Sequence, residues 1–546
     1  MKRNLFAILL LAAFVFQSVT SAQTVKVSDS EKKIAEGVTA KQLRDYLYFV
    51  ASDEMEGRDT PSRGLDTTAK FIAMNLSRWG FKPAGDSGTY FQKIAIRSES
   101  SDPANNLLKV GDQNVAFLDD FFRLQGNISV TGQAVFVRDG WMIKSKGIDA
   151  YSGVDVKDKI VVIYGQGFPR GNNVTSIPSG ATTTDLTGTK GKDWADPVTY
   201  ARNSGAKGMI VIASPQTDSS WGQVKGFLTR SNSFPEKLRD GGSGDGFPVM
   251  LVSGKTGEAI FAGQSGKKES ATAFALNKPI IMNAAAKIDT KWTQNVVAVW
   301  EGSDPVLKNE MVAIGAHYDH VGNSPQTGCR PVNGDGLCNG ADDDGSGTVA
   351  VLGIAEALAT ASAKPKRSVL FVWHCGEEKG LWGSEYFNKF PTVDIKNVTA
   401  QLNIDMIGRS KKAGDTDPKD KDLTGENAIY IIGSEMMSSA LGSVVKGTNL
   451  GYLKLDYDTR YDDPKDTNRF FFRSDHFNYA LNGIPITFWF DGVHVDYHQP
   501  GDSPDKIDYN KMERVARTIL ITLLNVADLK ERPKVDKTLP PELMQR

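Results

Sequence analysis

Cysteine is scarce in this 546-residue chain: Cys329, Cys338 and Cys375 are the whole complement. No thiolate cluster of the kind that builds a sulfur-rich metal site is therefore on offer. A charge excess is lacking too. Lys and Arg number 64 against 65 Asp and Glu, a net charge of −1, which excludes the basic surplus expected of a dedicated nucleic-acid binder. Beyond the N-terminal segment, no apolar run is long enough to span a bilayer. Glycine, in contrast, is abundant at 53 residues, which excludes a long coiled coil, and apolar segments recur often enough to exclude general disorder.

The N-terminal segment has the pattern of a secretory signal. Lys2 and Arg3 precede an apolar run over residues 5–16, and Thr20-Ser21-Ala22 supplies small residues for cleavage before Gln23. Residues 1–22 are expected to be removed, leaving a secreted or periplasmic protein without a membrane span. Cys329 and Cys338 lie nine apart in a loop rich in Gly, Pro and Asn, where a short disulfide is sterically easy. Cys375 is expected to be a free, buried small hydrophobe.

Between these landmarks the texture changes twice. Residues 38–96 read as helical, with a periodic stretch from Thr39 and Ala69, Ile72, Ala73 and Leu76 at helical spacing between Asp66 and Trp79, broken by Gly80, Pro83 and Gly85. From about 105 to 287 short β-like runs follow, at 134–137, 159–163, 208–212, 248–252 and 272–276, separated by turn residues. From Asn295 the rhythm becomes buried strand, loop, helix, strand, with strands expected at 311–316, 368–373, 402–406, 429–432 and 485–490 and a helix at 347–359. Helical crossovers between fully apolar strands imply an α/β fold: a mostly parallel, twisted sheet flanked by helices. The expected division is 23–124 as the first part of that domain, 125–275 as a β-rich insert, 276–530 as the remainder and 531–546 as a loose tail.

All six histidines fall between residues 317 and 498, and the polar clusters among them follow strand ends. His317-Tyr318-Asp319-His320, Gly376-Glu377-Glu378 and Asp491 with Asp496-Tyr497-His498 do so, Asp405 lies within the strand 402–406, and Gly340-Ala341-Asp342-Asp343-Asp344-Gly345-Ser346-Gly347 stands ahead of the helix. In open α/β sheets ligands bind beyond the carboxyl ends of the strands, so these clusters converge. Imidazole and carboxylate donors without thiolate favour zinc or a similar transition ion. Three carboxylates and a hydroxide balance two divalent cations, with two neutral imidazoles completing the set. One member of the Glu377-Glu378 pair can hold a metal while its neighbour moves a proton. Asp319 can accept the second ring N–H of His317. Asp344 and Ser346 are candidates for capping the helix.

These motifs resemble the zinc exopeptidase family that includes bacterial leucyl aminopeptidases, glutamate carboxypeptidase II and the transferrin-receptor ectodomain. The β-rich insert, with Val154-Asp155-Val156-Lys157-Asp158-Lys159-Ile160-Val161-Val162 and Gly205-Ala206-Lys207-Gly208, resembles the protease-associated domain of that family. The resemblance implies a di-zinc peptidase acting on peptide substrates: one ion on His317 and Asp405, the other on Glu378 and His498, with Asp343 bridging. It implies Glu377 as general base activating a metal-bridged water, Asp319 as orienter of His317, and Tyr497 as a stabiliser of the oxyanion. An aminopeptidase is the expected activity, with Glu377, Asp405 and an acidic loop (Asp456, Asp458, Asp462, Asp463) available to hold a free amine. A carboxypeptidase on the same scaffold, a single-zinc glutaminyl cyclase and a non-catalytic receptor-like protein are the alternatives.

Overall fold

The computed structural model describes residues 25–164, 175–239 and 246–539. The expected leader and the last seven residues, 540–546, lie outside the described residues. The chain divides into two compact units, Met1–Lys93 with Gln294–Arg546, and Ile94–Thr293.

The first unit opens with helices α1 (Asp29–Ala35), α2 (Ala40–Val50) and α3 (Arg63–Arg78). A reciprocal cap starts α2: Thr39 accepts from the Gln42 amide, and the Gln42 side chain accepts from the Thr39 amide. Leu43, Leu47 and Val50, spaced four and three apart, form its buried stripe. The sheet of this unit holds β1 (Ala286–Trp300), β2 (Met311–His317), β3 (Ser368–His374), β4 (Val398–Ile404), β5 (Ala428–Ile432), β6 (Asp456–Asp458) and β7 (Ile486–Phe490). Their spatial order is β1-β3-β2-β4-β7-β5-β6. The pairs β2/β3, β2/β4, β4/β7 and β5/β6 are parallel, while β1/β3 and β5/β7 are antiparallel. Every residue of β2, β3 and β4 is buried, as a sheet covered on both faces requires. Helices α1, α2, α4 (Gly347–Thr360) and α7 (Tyr509–Ala527) pack together, with α4 and α7 against β2. Helices α5 (Trp382–Lys389) and α6 (His476–Leu481) pair with each other, α6 lying on β4 and β7. Because β2, β3, β4 and β7 run the same way, their carboxyl ends share one edge.

The second unit holds a three-stranded sheet and is built on one of eight strands. Its middle, Ser129–Phe136, Ile160–Tyr164, Gly208–Ile212 and Val249–Val252, is parallel. Phe121–Gln125 closes one side and Phe274–Asn283 with Leu107–Val110 the other, all antiparallel. Parallel neighbours need crossovers, which here contain the helices Pro197–Asn203 and Trp221–Leu228; Gly254–Phe261 is a further helix after the last parallel strand. The expectation of bare turns between the strands missed them.

Two boundaries differ from expectation. The insert was placed at 125–275, whereas the compact units meet at 94 and 293. The reason is pairing: Leu107–Val110 and Phe121–Gln125 are strands of the second unit's sheet, so residues before 125 are committed to it. The described part of the tail, 531–539, is not loose. Arg532 pairs with Glu310 at 2.7 Å, the Asp536 amide donates to the Met437 carbonyl at 3.1 Å, and Leu539 is buried.

Candidate metal centre

His317 is the last residue of β2, and Asp405, expected inside its strand, directly follows the last residue of β4, which ends at Ile404. Glu377 and Glu378 sit three and four residues beyond the end of β3, and His498 eight beyond the end of β7. These groups meet Asp343, in the turn before α4. His317 Nε2 lies 3.3 Å from Asp343 Oδ1 and 3.6 Å from Asp405 Oδ1. The other oxygen, Asp343 Oδ2, lies 3.1 Å from His498 Nε2, and that nitrogen lies 3.1 Å from Glu378 Oε2. All five expected ligands are therefore together, and one carboxylate serves both halves.

The geometry also decides between the three consecutive aspartates. Asp342 Oδ1 accepts from the Gly408 amide at 2.7 Å. Asp344 Oδ1 accepts from the amides of Gly347 (2.9 Å) and Met406 (3.1 Å), which makes it the helix-start acceptor of α4. Asp342 Oδ2 lies 3.4 Å from His494 Nε2, so only Asp343 is left to face His317, His320 and His498. Its turn is itself held by Asp502, whose carboxylate accepts from the amides of Asp342 and Asp343 at 3.0 and 3.1 Å. Gly340, at φ +58°, has no room for a side chain: a Cβ there would sit 2.3 Å from the Asp343 carbonyl oxygen and 2.4 Å from His320 Cγ.

Asp319 acts differently from expectation. Its backbone carbonyl, not its carboxylate, faces His317 Nδ1 at 3.1 Å, with the carboxylate 3.7 Å away. A residue two positions along curls its own carbonyl under the ring, and the carboxylate turns to accept from the Glu377 amide at 3.1 Å. Asp319 thus fixes both the histidine and the Glu377 backbone. Tyr497 stacks on His498 with ring centroids 3.9 Å apart and lines the pocket in front of the cluster. That pocket is bounded by His317, Asp343, Glu377 and Asp405 on the polar side and by Met406, Phe470, Phe488, Phe490 and Val493 on the apolar side. The acidic loop expected to assist lies elsewhere. Asp462 accepts from the amides of Gly433 and Glu435 at 2.8 and 3.1 Å, Asp458 pairs with Arg460, and Asp456 accepts from Asn427.

Electrostatics separates the two glutamates. Burial pushes Glu378 up, but His320 and His498 override it and hold its carboxyl at about 2. Burial raises Glu377 well above the carboxylate range, reinforced by Glu378, Asp405 and Asp475 and opposed by His317. His498 is lowered by burial, yet Asp343 and Glu378 raise it to about 10.

Besides Asp502, sequence reasoning left three residues of the site unassigned. Arg473 lines the pocket. Buried Arg58 donates to the carbonyls of Tyr318, Asn339 and Gly340 at 2.7–2.9 Å, tying two ligand loops together. His320 is fully buried with Nδ1 2.9 Å from Glu378 Oε1 and 3.6 Å from Asp343 Oδ2. Its place in the His317-Tyr318-Asp319-His320 run was the only available signal; Arg58, some 260 residues away, left none.

The donor set fits zinc. Among the described residues Asp343 Oδ2, Glu378 Oε1, His320 Nδ1 and His498 Nε2 are buried and make no hydrogen bond, an arrangement that needs another partner. Donors about 2.0–2.1 Å from a tetrahedral zinc lie about 3.3 Å from one another, and the observed separations of 2.9–3.6 Å bracket that edge.

Comparison with known proteins agrees with this chemistry. The model of peptidase family M28 matches residues 295–523. A probable leucine aminopeptidase of Arthroderma benhamiae is 29% identical over 226 residues, 40% of this chain and 54% of the relative. Leupeptin-inactivating enzyme 1 of Streptomyces exfoliatus is 36% identical over 115 residues, 21% of this chain and 22% of the relative. The chain spans about half the length of the first of these and of similar leucine aminopeptidases. Among solved structures, an aminopeptidase from Aneurinibacillus sp. strain AM-1 aligns over 94% of this chain and 98% of its own, at 18% identity and a TM-score of 0.44. The metal-ligand cluster lies inside the segment, residues 295–523, that matches peptidase family M28.

Proposed function

We propose that this protein is an exported aminopeptidase that works with two zinc ions per chain. The observation that carries the reading is Asp343: its two oxygens face two separate donor groups, and Asp343 itself lines a pocket that also holds Glu377. Zinc held by His317, Asp343 and Asp405 and by Asp343, Glu378 and His498 would supply Lewis acidity, making water more acidic and polarising a peptide carbonyl. The remaining work falls to side chains of the chain itself. Glu377, kept proton-hungry by burial among other carboxylates, takes the proton from the attacking water and returns it to the leaving amine. Tyr497, on the pocket wall, donates to the carbonyl oxygen as charge develops there. Glu377 and Asp405 accept from the substrate's free amine, and the wall of Met406, Phe470, Phe488 and Phe490 suits an apolar first side chain.

Export rests on the signal-like pattern of residues 1–22, and the disulfide between Cys329 and Cys338 suits an oxidising compartment. The unit Ile94–Thr293 is assigned as a protease-associated domain on its sequence resemblance. Among the described residues no helix is long and apolar enough to cross a membrane.

Arg473 favours a second reading. A guanidinium on the pocket wall can hold a free carboxylate, as a carboxypeptidase requires. Aminoacyl-nitroanilides with free and acetylated amines, and N-blocked dipeptides with a free carboxylate, separate the two. Zinc-dependent hydrolysis of the free-amine substrates alone is expected, abolished by a chelator. Hydrolysis confined to the N-blocked dipeptides would replace the aminopeptidase with the carboxypeptidase.

A further inference from the structure

The two donor groups of the centre are not the same size. On one side stand His317, Asp343 and Asp405; on the other stand His320, Asp343, Glu378 and His498. We propose that His320 is a direct ligand, so that one zinc position has four protein donors and is closed, while the other has three and keeps a place for substrate. This rests on the metallopeptidase reading above and adds to it a division of labour between the ions.

Three observations carry it. First, His320 Nδ1 and Glu378 Oε1 are only 2.9 Å apart, yet neither makes a hydrogen bond among the described residues, and both are buried. Two polar atoms that close, with the wrong angles for a proton between them, are aimed at a common point instead. Second, the ring is built into that position. His320 is wholly buried, its amide donates to the Arg58 carbonyl at 3.2 Å, and its Cγ occupies the space that a side chain on Gly340 would need. Third, the pocket touches only one of the two groups in full. His317, Asp343 and Asp405 all line it, whereas His320, Glu378 and His498 do not. The three-donor position is thus the one that meets the substrate.

Coordination chemistry gives the consequence. Zinc held by four protein ligands belongs to the closed, strongly retained kind, and zinc held by three retains an exchangeable place. The ion on the pocket side should leave first when a chelator competes, and the ion beside His320 should stay.

The experiment is chelator titration of the zinc-loaded full chain, with zinc per chain measured by atomic emission, for the wild type and for His320→Ala. The wild type should lose one zinc at a chelator concentration at least tenfold below that needed for the second. In His320→Ala the retained zinc should bind about 10- to 100-fold more weakly, so that the two losses merge. X-ray absorption at the zinc edge on wild type holding one zinc supplies a reading independent of the variant's folding: two imidazoles are expected at that ion. A single imidazole there, or an unchanged two-step loss in His320→Ala, would overturn the role of His320 while leaving the two-zinc reading intact. A wild type that takes up no zinc would overturn the metallopeptidase reading and this proposal with it.

Discussion

Glu377 and Glu378 are chain neighbours with opposite chemistry, and the difference comes from what each faces. Glu378 is turned between His320 and His498, and these two neighbours hold its carboxyl low. Glu377 faces the pocket with Asp405 and, behind it, buried Asp475, so its ionised form is costly. A carboxylate that readily takes a proton is what a general base in this place requires. Glu377→Gln keeps the shape and removes the proton acceptor. Zinc content should therefore remain at the wild-type level while kcat falls by about 10²–10⁴. Loss of zinc in that variant, measured by atomic emission, would show that the two glutamates have exchanged roles.

At the scale of elements, the loops matter more than the strands. The segment from β2 to α4 carries His317, Asp319, His320 and Asp343, and it is the one the disulfide closes. Cys329 and Cys338 are bonded with Cα atoms 5.7 Å apart, Val321 packs on them, and the Cys338 amide donates to the Gly322 carbonyl at 3.0 Å. Cys375, outside the disulfide, is buried directly after the end of β3, in keeping with the sequence reading. A bond closing so short a loop is worth about 2–3 kcal/mol through the unfolded chain. Replacing both cysteines by serine should lower the free energy of unfolding, from urea titration, by about that amount. Equal midpoints for the double variant and the non-reduced wild type would mean that the cross-link does not form in solution.

At the scale of the whole molecule, burial of neutral histidines sets a response to acid. Burial lowers His374 to about 3, with His317 adding to the effect; it also lowers His476 to about 3, against the Phe471 carbonyl that its Nε2 faces at 2.9 Å. Such groups bind fewer protons folded than unfolded. Their contribution is complete above the unfolded value near 6.5 and is lost progressively as pH falls toward 3. Asp475, raised by burial to about 7, works in the opposite direction, losing its contribution as pH rises from about 4 to 7. Comparison with a single variant isolates the histidine. His476→Gln retains a donor for the Phe471 carbonyl and does not titrate. Between pH 7 and 4.5 it should lose about 2–3 kcal/mol less stability than the wild type, read from urea midpoints at the two pH values. Parallel losses in both proteins would show that His476 is protonated in the fold.

The ligand types, their order along the chain and their attachment to strand ends were legible in the sequence because they are local facts. A buried strand announces itself by composition, and the residue after it reaches the sheet edge whatever lies elsewhere. The choice of Asp343 among three aspartates depended instead on Gly408, Met406 and Gly347 claiming the other two carboxylates, and no local pattern encodes those amides. Arg58, Asp502 and Arg473 reach the site from distant segments for the same reason. The edges of the second unit moved to 94 and 293 because strand pairing, not texture, decides which sheet a segment joins. The sequence alone determined the peptidase-like donor set and the α/β architecture, since periodicity and residue chemistry are carried by neighbours. Which oxygen faces which nitrogen, and that His320 stands beside Glu378, was decided only by tertiary structure, because those distances exist only once remote backbones are fixed against one another.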